Sequence, residues 1–454
     1  MRVLKFGGTS VADGDAIDRV VAIIGGRPGP RVVVVSALAG VTDALLALAG
    51  TVVTDRAAAH AMLAALIARH TTLAAPVRDV FARQMLAHAT GGIARGVART
   101  LNAIADARAA DAVSVDKLLA AGELWSSRIL ATRLADAGIP TQWLDARHVI
   151  RTDGRHRHAE PDRGATDRAV ERTVRPALAS DRVVVLGGFI GSSPDGATTT
   201  LGRGGSDYTA AILGASLLAD EIEIWTDVDG VLSADPRVVA DARVVPALSY
   251  EDAATLAMFG AKVLHPKTLE PAAARDIPVR VLNSRRPEAP GTRIDAFGTG
   301  EGYAAIASRT GLCLLELASK GTANGAFAAR ALQALADAHI HVVVGEVHPD
   351  RLRLAVDGLI DPDGFRARVD SFAELRVRDG LAAVCAVGDR LCTSPGFVTE
   401  ALSAFDDGRV HLVSRPPGSE AFAVVVDDED ASRFVCRLHD RFAAAREAAE
   451  VSRS

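Results

Sequence analysis

Two glycine-rich turns carry the residues with the strongest chemical character in this 454-residue chain. The first is VLKFGGTS, where Lys5 closes a strand-like run and Gly7 and Gly8 follow at once. Glycines at a strand-to-loop junction let backbone N–H groups approach a phosphate, and a neighbouring lysine adds a point positive charge. By itself the run reads equally as a tight turn beside a snorkelling lysine. It is not a Walker A sequence, because the lysine precedes the glycines. The second turn is TTTLGRGGSDYTAAIL, residues 198–213. Here Gly202, Gly204 and Gly205 surround Arg203, whose guanidinium suits a bidentate contact with a carboxylate or phosphate, and Ser206 and Asp207 stand at a helix start. A plain N-cap role for Ser206 or Asp207 is the alternative. Three glycines in four positions cost chain entropy unless the backbone must approach something closely.

Two further stretches have weaker chemistry. EIEIWTDVDG ends a strand-like run at Thr226 and Asp227, with Asp229 and Gly230 forming a turn. Its spacing does not meet the EF-hand loop, and Asp229 reads equally as an Asx turn. GAKVLHP places Lys262 shortly before an X-Pro step; a surface lysine is the alternative there, and His265 before Pro266 reads as structural. In an open parallel sheet, ligands gather at the carboxyl ends of strands, where Lys5, Ser36, Thr226 and Asp227 all fall.

The hydrophobic pattern shows which elements must hold these residues. Up to about Arg293, short β-branched runs (RVLKF, RVVVVSA, RVVVLGGF, EIEIWT, PVRVLN) alternate with Ala/Leu-rich helical stretches, which predicts a mainly parallel, three-layer α/β domain. A helical insert is expected at about 55–116, where Leu and Val recur at helical spacing, and simple packing accounts for it. After RPEAPGTRIDAFGTGEG the texture changes. From Gly311 and again from Gly380 the chain runs in the order β-α-β-β, with IHVV answered by VHLV, an internal duplication.

Composition excludes several classes. A chain of this length exceeds one ordinary core, so two or three domains are expected. With 49% apolar and 24% charged residues it belongs with soluble globular proteins rather than disordered ones. The net charge of −5 comes from interspersed acids and bases, which offers no footprint for nucleic acid or an anionic membrane. Cys313, Cys385, Cys392 and Cys436 form no C-x-x-C pair and no run with histidine, so buried free thiols are expected and no structural metal site. No apolar leader opens the chain and the longest aliphatic run, near Val32 to Val35, is far short of a membrane span, so a cytoplasmic location is expected.

Taken in order, VLKFGGTSVAD, VVVVSALAGVTD, AAGELWSS, GFIGSSPDGATTTLGRGGSDYTAA, EIEIWTDVDGVLSADPR and FGAKVLHPKTLEPA resemble the aspartate kinases of the amino acid kinase family. The duplicated unit resembles that family's tandem ACT domains. The resemblance implies a catalytic domain over residues 1–298 and ACT-like units over 299–378 and 379–454, in the monofunctional form without a fused homoserine dehydrogenase. The implied reaction is phosphorylation of the β-carboxylate of L-aspartate by ATP, with Mg²⁺ accompanying the nucleotide, the first step toward lysine, threonine and methionine. Lys5 and Asp207 are the implied catalytic pair. Arg203 would hold the substrate α-carboxylate and Glu123 its ammonium group, with Ser36, Thr42 and Ser206 as further substrate contacts. Gly7 and Gly8 match phosphate contacts, and Thr226, Asp227, Arg237 and Lys262 match nucleotide positions. Leu232 stands where the family often carries tyrosine, which bears on the adenine side alone.

Other readings are another kinase on the same fold, for acetylglutamate, glutamate or UMP, and a non-catalytic amino acid sensor. Glu123 and Arg203 argue against the first, and intact Lys5, Asp207 and Lys262 against the second. Exposed sheet edges in the repeated units imply a homodimer. By resemblance an amino acid effector, lysine with or without threonine, binds near Lys320, Asn324, Gly325 and Gly345. Gly345 falls where lysine-sensitive relatives commonly present a hydroxyl, so weak lysine inhibition is expected.

Overall fold

The computed structural model describes residues 1–453 apart from 262–263, 265, 299–302, 322–324, 359–360, 389–390, 392–396, 406–407 and 417–419. Two compact units form, one from Met1–Gly230 with Lys267–Ala296 and the other from Val231–Pro266 with Phe297–Ser454. The span 1–298 expected for the catalytic domain therefore differs from the compact unit, because residues 231–266 pack with the second.

The first unit opens with β1 (Arg2–Phe6), α1 (Gly14–Gly25) and β2 (Arg31–Val35). Val3, Leu4 and Val32 to Val35 are all fully buried, as aliphatic runs must be in a parallel sheet covered on both faces. Four helices follow, α2 (Val41–Thr54), α3 (Arg56–Ala74), α4 (Val80–Ala107) and α5 (Ala112–Asp136), so the helical insert is present and runs on through α5. Then come β3 (Thr141–Trp143), α6 (Arg163–Ala179), β4 (Val183–Gly187), the hairpin of β5 (Ile190–Ser192) and β6 (Thr198–Thr200), α7 (Gly205–Leu217) and β7 (Glu221–Thr226). The chain next gives β8 (Ala247–Ser249) and α8 (Tyr250–Met258) to the second unit and returns through α9 (Pro266–Ala273) to β9 (Val279–Asn283) and β10 (Thr292–Asp295). Strands of the first unit lie in the order β3-β4-β2-β1-β7-β9-β10, parallel except for the antiparallel β10. The order reverses about β1, so the crevice at its carboxyl end is a topological switch point.

Helix starts divide into two kinds. Asp13, Asp55, Asp79, Asp111 and Asp162 cap α1, α3, α4, α5 and α6, each accepting a hydrogen bond from a first-turn backbone N–H. By contrast, α2 and α7 start from the left-handed Gly40 and Gly204 with no side-chain cap. Val41 N and Gly205 N turn back to Leu38 O and Gly202 O, and the next N–H groups of each first turn are left for another acceptor.

The second unit continues with β11 (Tyr303–Ser319), α10 (Gly325–Asp337), β12 (Val342–His348), β13 (Arg351–Asp357) and α11 (Pro362–Val369). A second set repeats the order: β14 (Ala373–Gly388), α12 (Phe397–Ser403), β15 (Val410–Ser414), β16 (Phe422–Asp427) and α13 (Ala431–Arg453). The duplication is therefore present, with a further helix closing each repeat. All six strands form one antiparallel sheet, β12-β13-β11-β14-β16-β15. Two cores lie along it, one around Leu315, Leu317, Phe327, Leu352 and Phe365 and the other around Ile306, Val384, Phe397, Val424 and Phe434. Both long strands cross from one core to the other, and their register breaks between Arg309 and Leu312, beside Gly311 and Gly380 at φ 73° and 74°. Only glycine takes that backbone shape freely. Because Ile306 belongs to the second core and residues 305–309 pair with 383–387, the lobes are nested rather than divided in sequence at 378/379.

Cys313 and Cys385 are buried free thiols, Cys436 is a half-buried one, and Cys392 lies outside the described residues. Among the described residues, no helix is long and apolar enough to cross a membrane.

Candidate active site

Strand register sets one row of residues at the sheet's edge. Phe6 pairs with both Val35 and Trp225, and Val35 pairs with Gly187, so Gly7, Ser36, Gly188 and Thr226 all emerge one residue beyond the same row. Backbone bonds carry the sheet into these turns: Gly7 N donates to Trp225 O at 3.0 Å, Ser36 N to Phe6 O at 3.1 Å and Gly188 N to Val35 O at 2.9 Å. Gly8 packs against the loop after β2, where a Cβ would lie 2.7 Å from Ala37 O.

Lys5, next to last in β1, is buried, and its Nζ lies 2.5 Å from Asp207 Oδ1. The contact is an ion pair without the alignment of a hydrogen bond. Asp207 stands in the first turn of α7, where a carboxylate is favoured by the helix dipole. The N-cap role open to Ser206 and Asp207 in the sequence is filled instead by Gly204, which leaves both side chains inside the helix and free for other work. Gly202 and Gly204, at φ 76° and 72°, hold Arg203 out to solvent between them. Arg203 has no ion-pair partner among the described residues, which leaves its guanidinium open to an anion. At Gly188 a Cβ would meet Ser206 Cβ at 2.6 Å, so α7 can start this close to the sheet only above a glycine.

Glu123 comes from α5 and is 3% exposed. Its Oε1 accepts from Ala37 N at 3.3 Å, and its Oε2 is buried with no partner. Burial pushes this carboxyl up to about 8, against a smaller opposing effect of the Ala37 N–H. Two neighbours make room for it: a Cβ on Gly187 would meet Glu123 Cβ at 2.8 Å, and one on Gly122 would meet Ala37 Cβ at 2.7 Å. A buried carboxylate oxygen without a donor is costly unless a cation or donor reaches it. Ser36 and Thr42 are half-buried nearby in sequence, Thr42 in the uncapped first turn of α2.

On the other flank, Thr226 Oγ1 donates to the exposed Asp227 Oδ1 at 3.2 Å. Asp229, an Asx-turn candidate, accepts from Asn283 Nδ2 at 2.7 Å and pairs with Arg286. Arg237 belongs to the second unit, where it is exposed and paired with Asp235 at 2.5 Å. Leu232, also in that unit, bridges Val244. Lys262 and Asn324 lie outside the described residues. Lys320 is already engaged, bonding Asp370 Oδ1 at 2.8 Å and Asp370 O at 2.7 Å. Gly325 opens α10, and at Gly345 on β12 a Cβ would lie 2.4 Å from Leu354 Cδ2. A Cβ there would also lie 2.9 Å from Arg353 O, so a side chain at this position would require its neighbours to shift.

Two positions escaped the sequence reading. Phe189 holds φ 65°, unusual for a bulky residue, and its N–H donates to Thr209 Oγ1 at 3.0 Å. Only the GGF run hinted at it. Arg69 of α3 donates from Nη1 to Ala39 O at 2.9 Å and from Nη2 to Ala12 O at 3.2 Å. Ala12 follows the turn of Gly7 and Gly8, and Ala39 precedes the start of α2, so one guanidinium ties both loops together. Nothing in the local sequence marks an arginine that acts 30 and 57 residues away.

Residues 1–283 match the amino acid kinase family, and the chain belongs to it. It is 34% identical over 452 residues to the lysine-sensitive aspartokinase 3 of Escherichia coli, covering 96% of this chain and 98% of that one. Its structure is similar to that of E. coli aspartokinase III in complex with aspartate and ADP (R-state), with a TM-score of 0.85, 33% identity and coverage of 97% and 99% of the two chains. Against the same enzyme with lysine and aspartate (T-state) the TM-score is 0.78.

Arg69→Met keeps the apolar stem and removes both tethers. It is expected to lower kcat/KM about tenfold with the fold intact by circular dichroism. An unchanged rate would show that the loops hold their places without it.

Proposed function

We propose that this chain transfers the γ-phosphoryl group of ATP to the β-carboxylate of L-aspartate, giving 4-phospho-L-aspartate and ADP. One observation carries the reading: a buried glutamate with an unpaired oxygen, Glu123 of α5, held against the loop after β2, while β1 beside it carries Lys5 paired with Asp207. The first suits a free ammonium group and the second a polyphosphate. An acceptor carboxylate, of pKa about 4 in solution, is already ionised and needs no general base. Catalysis then reduces to bringing two anions together and neutralising charge.

In this reading Lys5 neutralises the transferring phosphoryl group and Asp207 orients Lys5. Arg203 takes the α-carboxylate and Glu123 the ammonium, with Ser36, Thr42 and Ser206 around the substrate. The turn of Gly7 and Gly8 lets the phosphates come close, with Gly7 N held by Trp225 O, and the Ser206 and Asp207 N–H groups in the first turn of α7 serve them as well. Thr226, Asp227, Arg237 and Lys262 serve the nucleotide. A divalent cation, Mg²⁺, accompanies ATP and shields its charge.

ADP release measured with aspartate, glutamate, acetylglutamate and UMP tests the assignment. Turnover with aspartate alone is expected. Activity with another acceptor supports a different kinase on this fold, and no activity with any supports a sensor.

The ACT-like second unit supports control by amino acids. Its edge strands expose Val342 and Val347 on β12 and Val410 and Val413 on β15, which favours pairing with a second copy into a homodimer. With no hydroxyl at the crowded Gly345 and Lys320 paired with Asp370, inhibition by lysine is expected to be weak. Initial rates with lysine, threonine and methionine, singly and in pairs, check this; strong inhibition by low lysine alone would count against it.

A further inference from the structure

Asp116 is a fully buried carboxylate in the first turns of α5. Three donors from two other segments converge on it. Thr200 Oγ1, at the end of β6, donates to Oδ1 at 2.7 Å. His156 Nδ1 lies 2.8 Å from Oδ2, and Arg157 N donates to the same oxygen at 3.1 Å. The segment holding these two residues is bound in turn to β6, since Ala159 N donates to Thr200 O at 2.9 Å. It also borders the arginine turn: a Cβ on Gly202 would lie 2.7 Å from His158 Nδ1. Arg157 holds φ 73°, a shape for which a non-glycine residue needs support from its surroundings.

Seven residues beyond Asp116, on the same helix, is Glu123. Seven residues are close to two turns, so the two carboxylates share a face about 10 Å apart along the axis. Three residues beyond Thr200 is Arg203. One buried side chain thus joins the helix that carries the ammonium receptor to the strand that leads into the α-carboxylate receptor.

We infer that Asp116 is a positioning residue that sets the span between Glu123 and Arg203, and so selects the amino acid acceptor by where its distal carboxylate falls. The inference rests on the aspartate kinase reading above. Both receptors grip groups on the substrate Cα. If their span relaxes, the carboxylate one or two carbons away no longer meets the phosphoryl group in a fixed place, and discrimination between aspartate and its longer homologue glutamate falls. ATP contacts are not part of the tether.

The test uses the full chain with Asp116→Ala, Asp116→Asn and Thr200→Val. Asparagine can still accept from His156 and Arg157 and donate to the Thr200 hydroxyl, so it should preserve the tether. Valine at 200 has the shape of threonine and cuts only the link to β6. Initial rates are measured with aspartate varied at saturating ATP, then the reverse, and with glutamate in place of aspartate. Asp116→Ala should raise KM for aspartate about tenfold and Thr200→Val about threefold, with KM for ATP changed less than about twofold and Asp116→Asn close to the parent. The ratio of kcat/KM for aspartate over glutamate should fall in Asp116→Ala and Thr200→Val. Equal rises in both KM values, an unchanged preference, or Asp116→Asn as impaired as alanine would overturn the inference. If Asp116→Ala fails to fold, Thr200→Val and Asp116→Asn still decide. A parent chain inactive on aspartate would remove the underlying reading, whereas an active parent with unaltered variants removes this inference alone.

Discussion

Replacing Lys5 with methionine is expected to give a folded protein whose kcat falls by about 10³-fold or more, with KM for both substrates changed much less. The lysine is buried at the end of β1 with its ammonium against Asp207, so its charge is fixed before substrate arrives. A charge that needs no reorganisation is worth most when negative charge moves between donor and acceptor oxygens. Asp207→Asn should lose nearly as much, because the lysine then lacks the anion that aims it. The double variant should be little worse than either alone, since the pair acts as one unit. Single-turnover rates with circular dichroism as the control for folding check this. Near-normal kcat in Lys5→Met would overturn the assignment.

The second large effect belongs to Glu123. Burial raises its carboxyl to about 8, so in the unliganded protein at neutral pH it is mostly protonated. An ammonium group favours the ionised form, so binding aspartate should release a proton. It follows that kcat/KM for aspartate rises about tenfold per pH unit below 8 and levels off above it. Glu123→Gln should flatten this limb and raise KM for aspartate by about 30-fold or more, leaving KM for ATP nearly unchanged. Arg203→Ala should raise KM for aspartate likewise, without changing the pH limb. Stability has the opposite dependence. The folded pKa lies above the ordinary value of 4.5, so this group's contribution is fully present below that pH and is lost as pH rises toward 8. Thermal melts of the unliganded protein at pH 5 and pH 8 should therefore differ more in the parent than in Glu123→Gln. Equal pH profiles for parent and variant would sink the titration argument, and equal rises in both KM values would point to general damage.

Much of this protein was legible along the chain, where the signal is local. Aliphatic runs such as RVVVV fix buried parallel strands, and residues that end such runs arrive at the same sheet edge. Helix starts were less legible: Ser206 and Asp207 read equally as caps, and only the structure shows that α7 starts openly from Gly204 while aspartates close α1, α3, α4, α5 and α6. The duplication in the second half was readable from its repeated order of elements.

What only the tertiary structure decided depends on contacts between distant segments. Glu123 is in sequence one acid in a helical stretch; its high pKa comes from Gly187 and Gly122 letting strand and helix close around it. Arg69 and Asp116 gain meaning from carbonyls and hydroxyls far along the chain. The nested lobes were hidden for the same reason, since the repeats read from Gly311 and Gly380 onward and only strand pairing shows β11 and β14 running through those glycines from one core into the other. Local pattern determines which elements form. Burial, spacing and pKa are properties of the assembled neighbourhood, which no window of sequence contains.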